Sequence, residues 1–275
     1  MSAPKRALDR IGRQLKKYQA VLEAARARDV GENDTVVIIA DLLADALGYD
    51  KYADVTTEFA IRGSYVDLAV KVGQTVRFLI EAKAIGATLK DSHIKQAIDY
   101  GANHGIEWVV LTNGIIWQMY KVHFKQPIDK SIMFEVDVLK ANPKDPQVLE
   151  WFGHLSKEGY SQDNMESFWR AQQATSPYTI AAVLSERRVL AALRRELKNI
   201  APKVRIEEDD LRQIVQGQVV KRELVDGDEA RRAEDLIKRS RRAAARARNE
   251  KKETAAPTPK PVSTPLPAPP ATSTG

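Results

Sequence analysis

Asp67, Glu81 and Lys83 stand at spacings that suit metal-dependent cleavage of a phosphodiester bond, and Gln96 and Tyr100 follow one helical turn apart. From Ser64 to Val72 the chain alternates, with Val66, Leu68, Val70 and Val72 on one face and Tyr65, Asp67, Ala69 and Lys71 on the other. That is the two-residue period of a half-buried strand. Val76 to Lys83 repeats the pattern, so Glu81 and Lys83 share a face. A three-residue hairpin loop of Gly73, Gln74 and Thr75 sets Val72 opposite Val76 and Asp67 opposite Glu81. A two-residue loop sets Asp67 opposite Ile80 and mixes the faces. Like charges facing each other across a strand pair are destabilising unless water or a cation neutralises them. A divalent ion meets that need: Mg²⁺, with Mn²⁺ as a substitute, takes hard oxygen ligands, one or two carboxylates, several waters and the substrate phosphate. Lys83 on the same face is placed to orient or deprotonate the attacking water and to offset transition-state charge.

Asp67 followed by Glu81-Ala82-Lys83 at the end of the next strand resembles the PD-(D/E)xK nuclease core, without the leading proline, since Val66 precedes Asp67. Gln96 and Tyr100, in Gln-Ala-Ile-Asp-Tyr, resemble the Q-x-x-x-Y helix motif of the exonuclease-like branch. Glu32, in Gly-Glu-Asn-Asp-Thr at the start of an amphipathic helix, resembles its counterpart in the N-terminal nuclease domain of type I restriction enzyme R subunits. The similarity spans about Asp29 to Leu139. It implies a restriction-endonuclease-like fold and a Mg²⁺-dependent DNA endonuclease in restriction of foreign DNA. In that reading Asp67, Glu81 and Glu32 hold the metal, Lys83 assists the water, and Gln96 and Tyr100 meet substrate. A separate motor or specificity subunit is the implied partner, because no G-x-x-x-x-G-K-[ST] phosphate loop occurs in the sequence. Two cuts of a duplex by a single-site nuclease imply a homodimer.

Each of these residues has a plainer reading. Glu-x-Lys at a strand end is often a solvated charge pair, Tyr100 packs on a sheet, and Glu32 is a first-turn carboxylate favoured by the helix dipole. Glu58, on the preceding strand, is a weaker candidate. His93 falls near the site in sequence, as substrate contact or as an exposed helix residue. The alternative function is a noncatalytic nucleic-acid-binding or assembly protein that retains the nuclease fold.

The elements around these residues give an α/β class, a mixed sheet flanked by helices. Leu8, Ile11, Leu15, Tyr18 and Leu22 predict a helix from Lys5 to Ala27 with a basic opposite face, and a second helix is expected from Asp34 to Leu47, stopped by Gly48. Strands are expected at 55–61, 64–72 and 76–83, a helix at 90–104, then strands at 107–112 and 115–122 joined by Asn113-Gly114, and a last strand at 131–139. The nuclease-like domain is read as residues 1–140 and a helical region as 141–226, with helices at 146–156, 164–174, 185–200 and 208–216 and a short strand at 219–224. Trp151, Phe152, Phe168 and Trp169 belong either to the core of that region or over one edge of the sheet. A basic helix is expected at 227–253: Arg231 to Lys252 holds ten Lys and Arg against three carboxylates and has no apolar stripe for docking, so nonspecific phosphate attraction is its functional reading. Residues 254–275 carry seven of the thirteen prolines and are expected to be disordered.

With 275 residues, 43% hydrophobic and 29% charged, the chain has material for one or two globular units. No apolar run reaches a membrane span and no signal-peptide core is present, so no membrane partner is expected. The absence of cysteine excludes disulfides and thiolate metal sites and suits a cytoplasmic protein.

Overall fold

In the computed structural model β4 (Trp108–Thr112) is buried along its whole length, as a strand covered on both faces must be. It lies inside a six-stranded mixed sheet ordered β1 (Val55–Ile61), β2 (Ser64–Val72), β3 (Thr75–Ala82), β4, β5 (Ile116–His123) and β6 (Asp129–Asp137). Neighbours pair antiparallel except β3 and β4, which run parallel. A parallel pair needs a crossover, and α3 (Asp91–His104) supplies it. The described residues are 3–61, 64–124 and 127–254, without the side chains of 58–61, 64–65 and 248–254. The proline-rich tail from residue 255 onward lies outside them.

Two compact units divide the chain, Met1–Gln172 and Gln173–Gly275. In the first, α1 (Lys5–Ala27) and α2 (Glu32–Asp45) cover one sheet face. Ile11, Leu15 and Leu22 of α1 meet Ile39, Leu42 and Leu43 of α2 over Leu68, Val70, Phe78, Ile80 and Val110. Each fully withdrawn side chain of this size contributes roughly 1.5–3 kcal/mol. On the other face Ile94, Ala97 and Tyr100 of α3 pack on Ala69, Leu79, Val109 and Leu111. The α1 helix starts and stops where the periodicity predicts; α2 begins two residues before its expected start, at Glu32, with Gly31 as N-cap.

The turn between β2 and β3 differs from the expected one. Gly73 and Gln74 form a two-residue turn, both at positive φ (58° and 68°), and Val72 pairs with Thr75. The register then shifts: Lys71 pairs with Val76 but Val70 pairs with Phe78, leaving Arg77 as an extra bulged residue. Turn and bulge cancel. Leu68 faces Ile80, and one step further Asp67 comes opposite Glu81, as the three-residue loop would have placed them. The Arg77 carbonyl accepts a hydrogen bond from Tyr160 Oη at 3.4 Å.

The helices α4 (Pro146–Leu155) and α5 (Gln162–Ala174) carry their aromatics onto the sheet. Phe152 packs edge-on against Trp117, Trp151 stacks on Phe134 at 5.3 Å, and Trp169 approaches His123. Lys121, 5.2 Å above the Trp108 ring, pairs with Glu166 and ties α5 to β5. These contacts extend the sheet's unit to Gln172.

The second unit is helical: α6 (Pro177–Leu184), α7 (Arg187–Ile200), α8 (Glu208–Ile214) and α9 (Asp228–Thr254). Residues 219–224 form no strand; a π turn (Val215–Val219) leads to a 3-10 turn (Arg222–Leu224). The helix expected from Ser185 is α7, which begins two residues later, and a helix that was not expected, α6, precedes it, with the Ser176 side chain accepting from Thr179 N–H and Pro177 in the first turn. The basic helix does dock by burial: Ala230 and Ala233, too small to register as an apolar stripe, are 5% exposed, and α9 packs against α6. Arg241 pairs with Glu186 at 2.6 Å.

Candidate active site

The site forms where β3 ends and α2 begins. Ala69 and Leu79 belong to the core under α3, so alternation puts Asp67 and Glu81 on that face. Asp67 Oδ2 accepts from Ala82 N–H at 2.7 Å, which fixes the carboxylate against the neighbouring strand. Lys83 Nζ donates to Glu81 Oε1 at 2.8 Å and lies 3.4 Å from Glu32 Oε1. The structure thus brings Asp67, Glu81, Lys83 and Glu32 together.

Burial sets their electrostatics. Glu81 is 8% exposed, and loss of water, with the Asp67 and Glu32 charges adding to it, raises its pKa to about 6 against the pull of Lys83. For Lys83, burial favours the neutral form, but the hydrogen bond it donates to Glu81 and the charges of Glu81, Asp67 and Glu32 outweigh it, and its pKa is raised.

The segment after Lys83 is clamped. Lys83 N–H donates to Thr112 O, prolonging the parallel ladder. Asn113, 6% exposed, donates from Nδ2 to Ile85 O (3.3 Å) and Ala87 O (2.9 Å), while its Oδ1 accepts from Ile115 and Ile116 N–H. All four hydrogen-bonding positions of the amide are used. Gly86 sits where a Cβ would lie 2.7 Å from Asp29 Oδ1, so the loop and the end of α1 close on each other through a missing side chain. Sequence reading found the Asn113-Gly114 turn but not the clamp; a single buried amide at the end of the neighbouring strand leaves no periodic trace.

Gln96 is exposed on α3, whereas Tyr100 is buried beneath that helix and stacks on His104 at 4.4 Å. His93 Nδ1 accepts from Lys90 N–H at 3.3 Å and caps α3. Glu58 lies on β1, and its side chain is outside the described residues.

The donor set fits a hard divalent ion. Asp67 and Glu81 offer carboxylate oxygens on adjacent strands, and Mg²⁺ is commonly held by one or two such groups with waters completing the shell. Among the described residues no three His, Asp or Glu side chains converge as ligands of one ion.

The chain is thus of the α/β class, a mixed six-stranded sheet flanked by helices, in which Asp67 of β2 lies beside Glu81-Ala82-Lys83 at the end of β3 and α3 makes the crossover. Residues 38–133 match the model of the family described as the type I restriction enzyme R protein N terminus, a match consistent with the nuclease-like domain of R subunits. It takes in Asp67, Glu81, Lys83, Gln96 and Tyr100 and begins after Glu32. No curated protein and no solved structure matches the chain. Among the described residues no helix is long and apolar enough to cross a membrane.

Proposed function

We propose that the chain is a Mg²⁺-dependent DNA endonuclease of the R-subunit N-terminal type, hydrolysing phosphodiester bonds in a restriction system, with a motor or specificity subunit as partner. The observation that carries this reading is the Lys83 ammonium held between Glu81 and Glu32 beside Asp67. Asp67 and Glu81 would hold the ion, with Glu32, which pairs with Lys83, as a further carboxylate near it rather than a ligand in this arrangement; when bound, the ion would supply a polarised water and neutralise phosphate charge. Ala82 N–H keeps Asp67 oriented. Because its pKa is raised, Lys83 stays protonated and works as a cation, orienting the nucleophilic water and offsetting charge at phosphorus rather than taking the proton. Gln96, exposed on α3, positions substrate; Tyr100 supports it from the core.

A second reading has its own observation. Lys83 already compensates both Glu81 and Glu32, as in a noncatalytic nucleic-acid-binding protein that has no use for an ion. Cleavage of supercoiled, linear and single-stranded DNA with Mg²⁺, Mn²⁺ or EDTA separates the two. The nuclease reading expects metal-dependent cutting that Asp67→Ala, Glu81→Ala and Lys83→Ala each reduce at least a hundredfold while the variants stay folded. Full cutting by all three would remove the site from consideration.

A further inference from the structure

Positive charge in the first unit is concentrated on one element. Lys5–Ala27 carries seven Lys and Arg against two carboxylates, in a unit that otherwise holds more acidic than basic residues. Two of the seven are held in ion pairs: Arg10 with Glu158 and Lys17 with Asp45. Lys5, Arg6, Arg13, Lys16 and Arg26 are exposed and form no ion pair among the described residues. Midway along the helix an open groove of about 750 Å³ is lined by Leu8, Asp9, Arg13 and Lys16 of α1 together with Lys144 of the turn after β6.

The same helix leads to the site. Asp29, two residues past its end, meets Gly86 of the loop that follows Lys83, and Glu32 comes three residues later. At about 1.5 Å per residue, α1 is roughly 35 Å long and the groove lies about 20 Å from that end. One turn of B-DNA is about 34 Å, with a phosphate every 3.4 Å along each strand.

We infer that the solvent face of α1, with Lys144, is the surface along which duplex DNA lies, its phosphates held by Arg13, Lys16 and Lys144 while the strand to be cut passes the end of the helix at Lys83. This rests on the nuclease reading for the chemistry at that end but is tested through binding alone. It moves the positioning contact from α9, where charge along the sequence is greatest, to the element that adjoins the carboxylates.

The test uses the full chain in EDTA with a 20-base-pair duplex as probe. Charge reversal in Arg13→Glu, Lys16→Glu and Lys144→Glu together should weaken binding at least tenfold and lower the slope of log affinity against log salt by about 2–3, near 0.9 per lost phosphate contact. Unchanged affinity and slope in a variant with native circular dichroism would overturn the inference. Because the chain has no cysteine, Ala20→Cys places a single thiol on the exposed face of α1 for a photo-crosslinker. Crosslinking to the duplex, kept when residues 231–275 are removed, is expected; absence of crosslink, or crosslinking to single strands alone, also overturns it. Failure to cut DNA with Mg²⁺ bears on the nuclease reading and leaves this surface standing. Wild-type cutting with unaltered binding by the reversed variant sinks this surface and leaves the nuclease reading standing.

Discussion

Glu81 is a residue held at a cost, since its carboxylate is buried next to two others and its proton is bound more tightly in the folded chain than in the unfolded one. Its pKa rises from 4.5 to about 6, so within that window the native state carries more protons and stability falls as pH rises. Above pH 6 the deficit is about 2 kcal/mol, at 1.36 kcal/mol per pKa unit. Glu81→Gln should therefore stabilise the protein in EDTA by roughly 1–2 kcal/mol at pH 7.5, because the amide oxygen still accepts from Lys83 and the charge is gone. The two proteins should converge in urea melts at pH 4.5. Equal stability at pH 7.5 would mean that Glu81 is not strained. Adding Mg²⁺ should close the gap by stabilising the wild type alone, as any ligand of the native state does. Lys83 gives a further check at this scale: if it acts as a fixed cation, Lys83→Arg should retain more cleavage than Lys83→Gln, whereas a proton-accepting role would make both equally inactive.

The hairpin that carries Asp67 and Glu81 sets its register by two compensating irregularities. A two-residue turn with both central residues at positive φ matches the twist of the strands it joins, but only one of the two is glycine. Gln74→Gly should raise stability by about 0.5–1 kcal/mol through relief of the left-handed conformation at φ 68°, read as an upward shift of the thermal midpoint; a fall would show that the Gln74 side chain holds the turn. Alternation along 64–72 and 76–83 made the facing of Asp67 and Glu81 legible in the sequence, and the pairing of the two carboxylates stood even though the turn was misjudged. What alternation cannot show is that a shortened turn and a bulge at Arg77 cancel, since neither changes which residues are apolar. Glu32 escaped periodicity as well, and its place beside Lys83 depends on how α2 meets the end of β3. The α9 contact was missed because alanines bury little area each yet permit close helix packing. The Asn113 clamp belongs to the same class of tertiary features. Asn113→Asp keeps the shape but turns a carboxylate oxygen toward the carbonyls of Ile85 and Ala87, so hydrogen exchange at residues 84–88 should speed up and cleavage should fall tenfold or more. Unchanged exchange there would leave the loop held by Lys83 N–H and Asp29 alone.

The two units of the molecule are unequally built. The first buries Trp108, Trp117, Phe78 and Phe152 completely within one continuous core that joins sheet and helices. Among its described residues the second gathers Leu190, Leu211 and Val215 in a small buried cluster with Leu197, Ile206 and Val220 partly covered, adds the buried alanines Ala181, Ala230 and Ala233, and leaves Ile200 80%, Val219 66% and Val204 55% exposed. Small assemblies of helices with so little withdrawn surface hold a marginal balance against chain entropy. Residues 1–172 expressed alone should therefore unfold in urea as one cooperative transition, retaining the pH dependence assigned to Glu81. Residues 173–275 alone should show helical circular dichroism with a shallow, nearly linear urea response, because the slope of such a transition scales with the surface exposed on unfolding. A sharp transition in the isolated second piece would show that its small core suffices. The opposite pattern would favour a partner protein, such as the motor or specificity subunit of the proposed system, as the surface against which those exposed valines and isoleucines become buried. Titrating that subunit into residues 173–275 should then restore a cooperative melt, since a ligand that binds only the ordered form stabilises it in proportion to the logarithm of its excess over Kd.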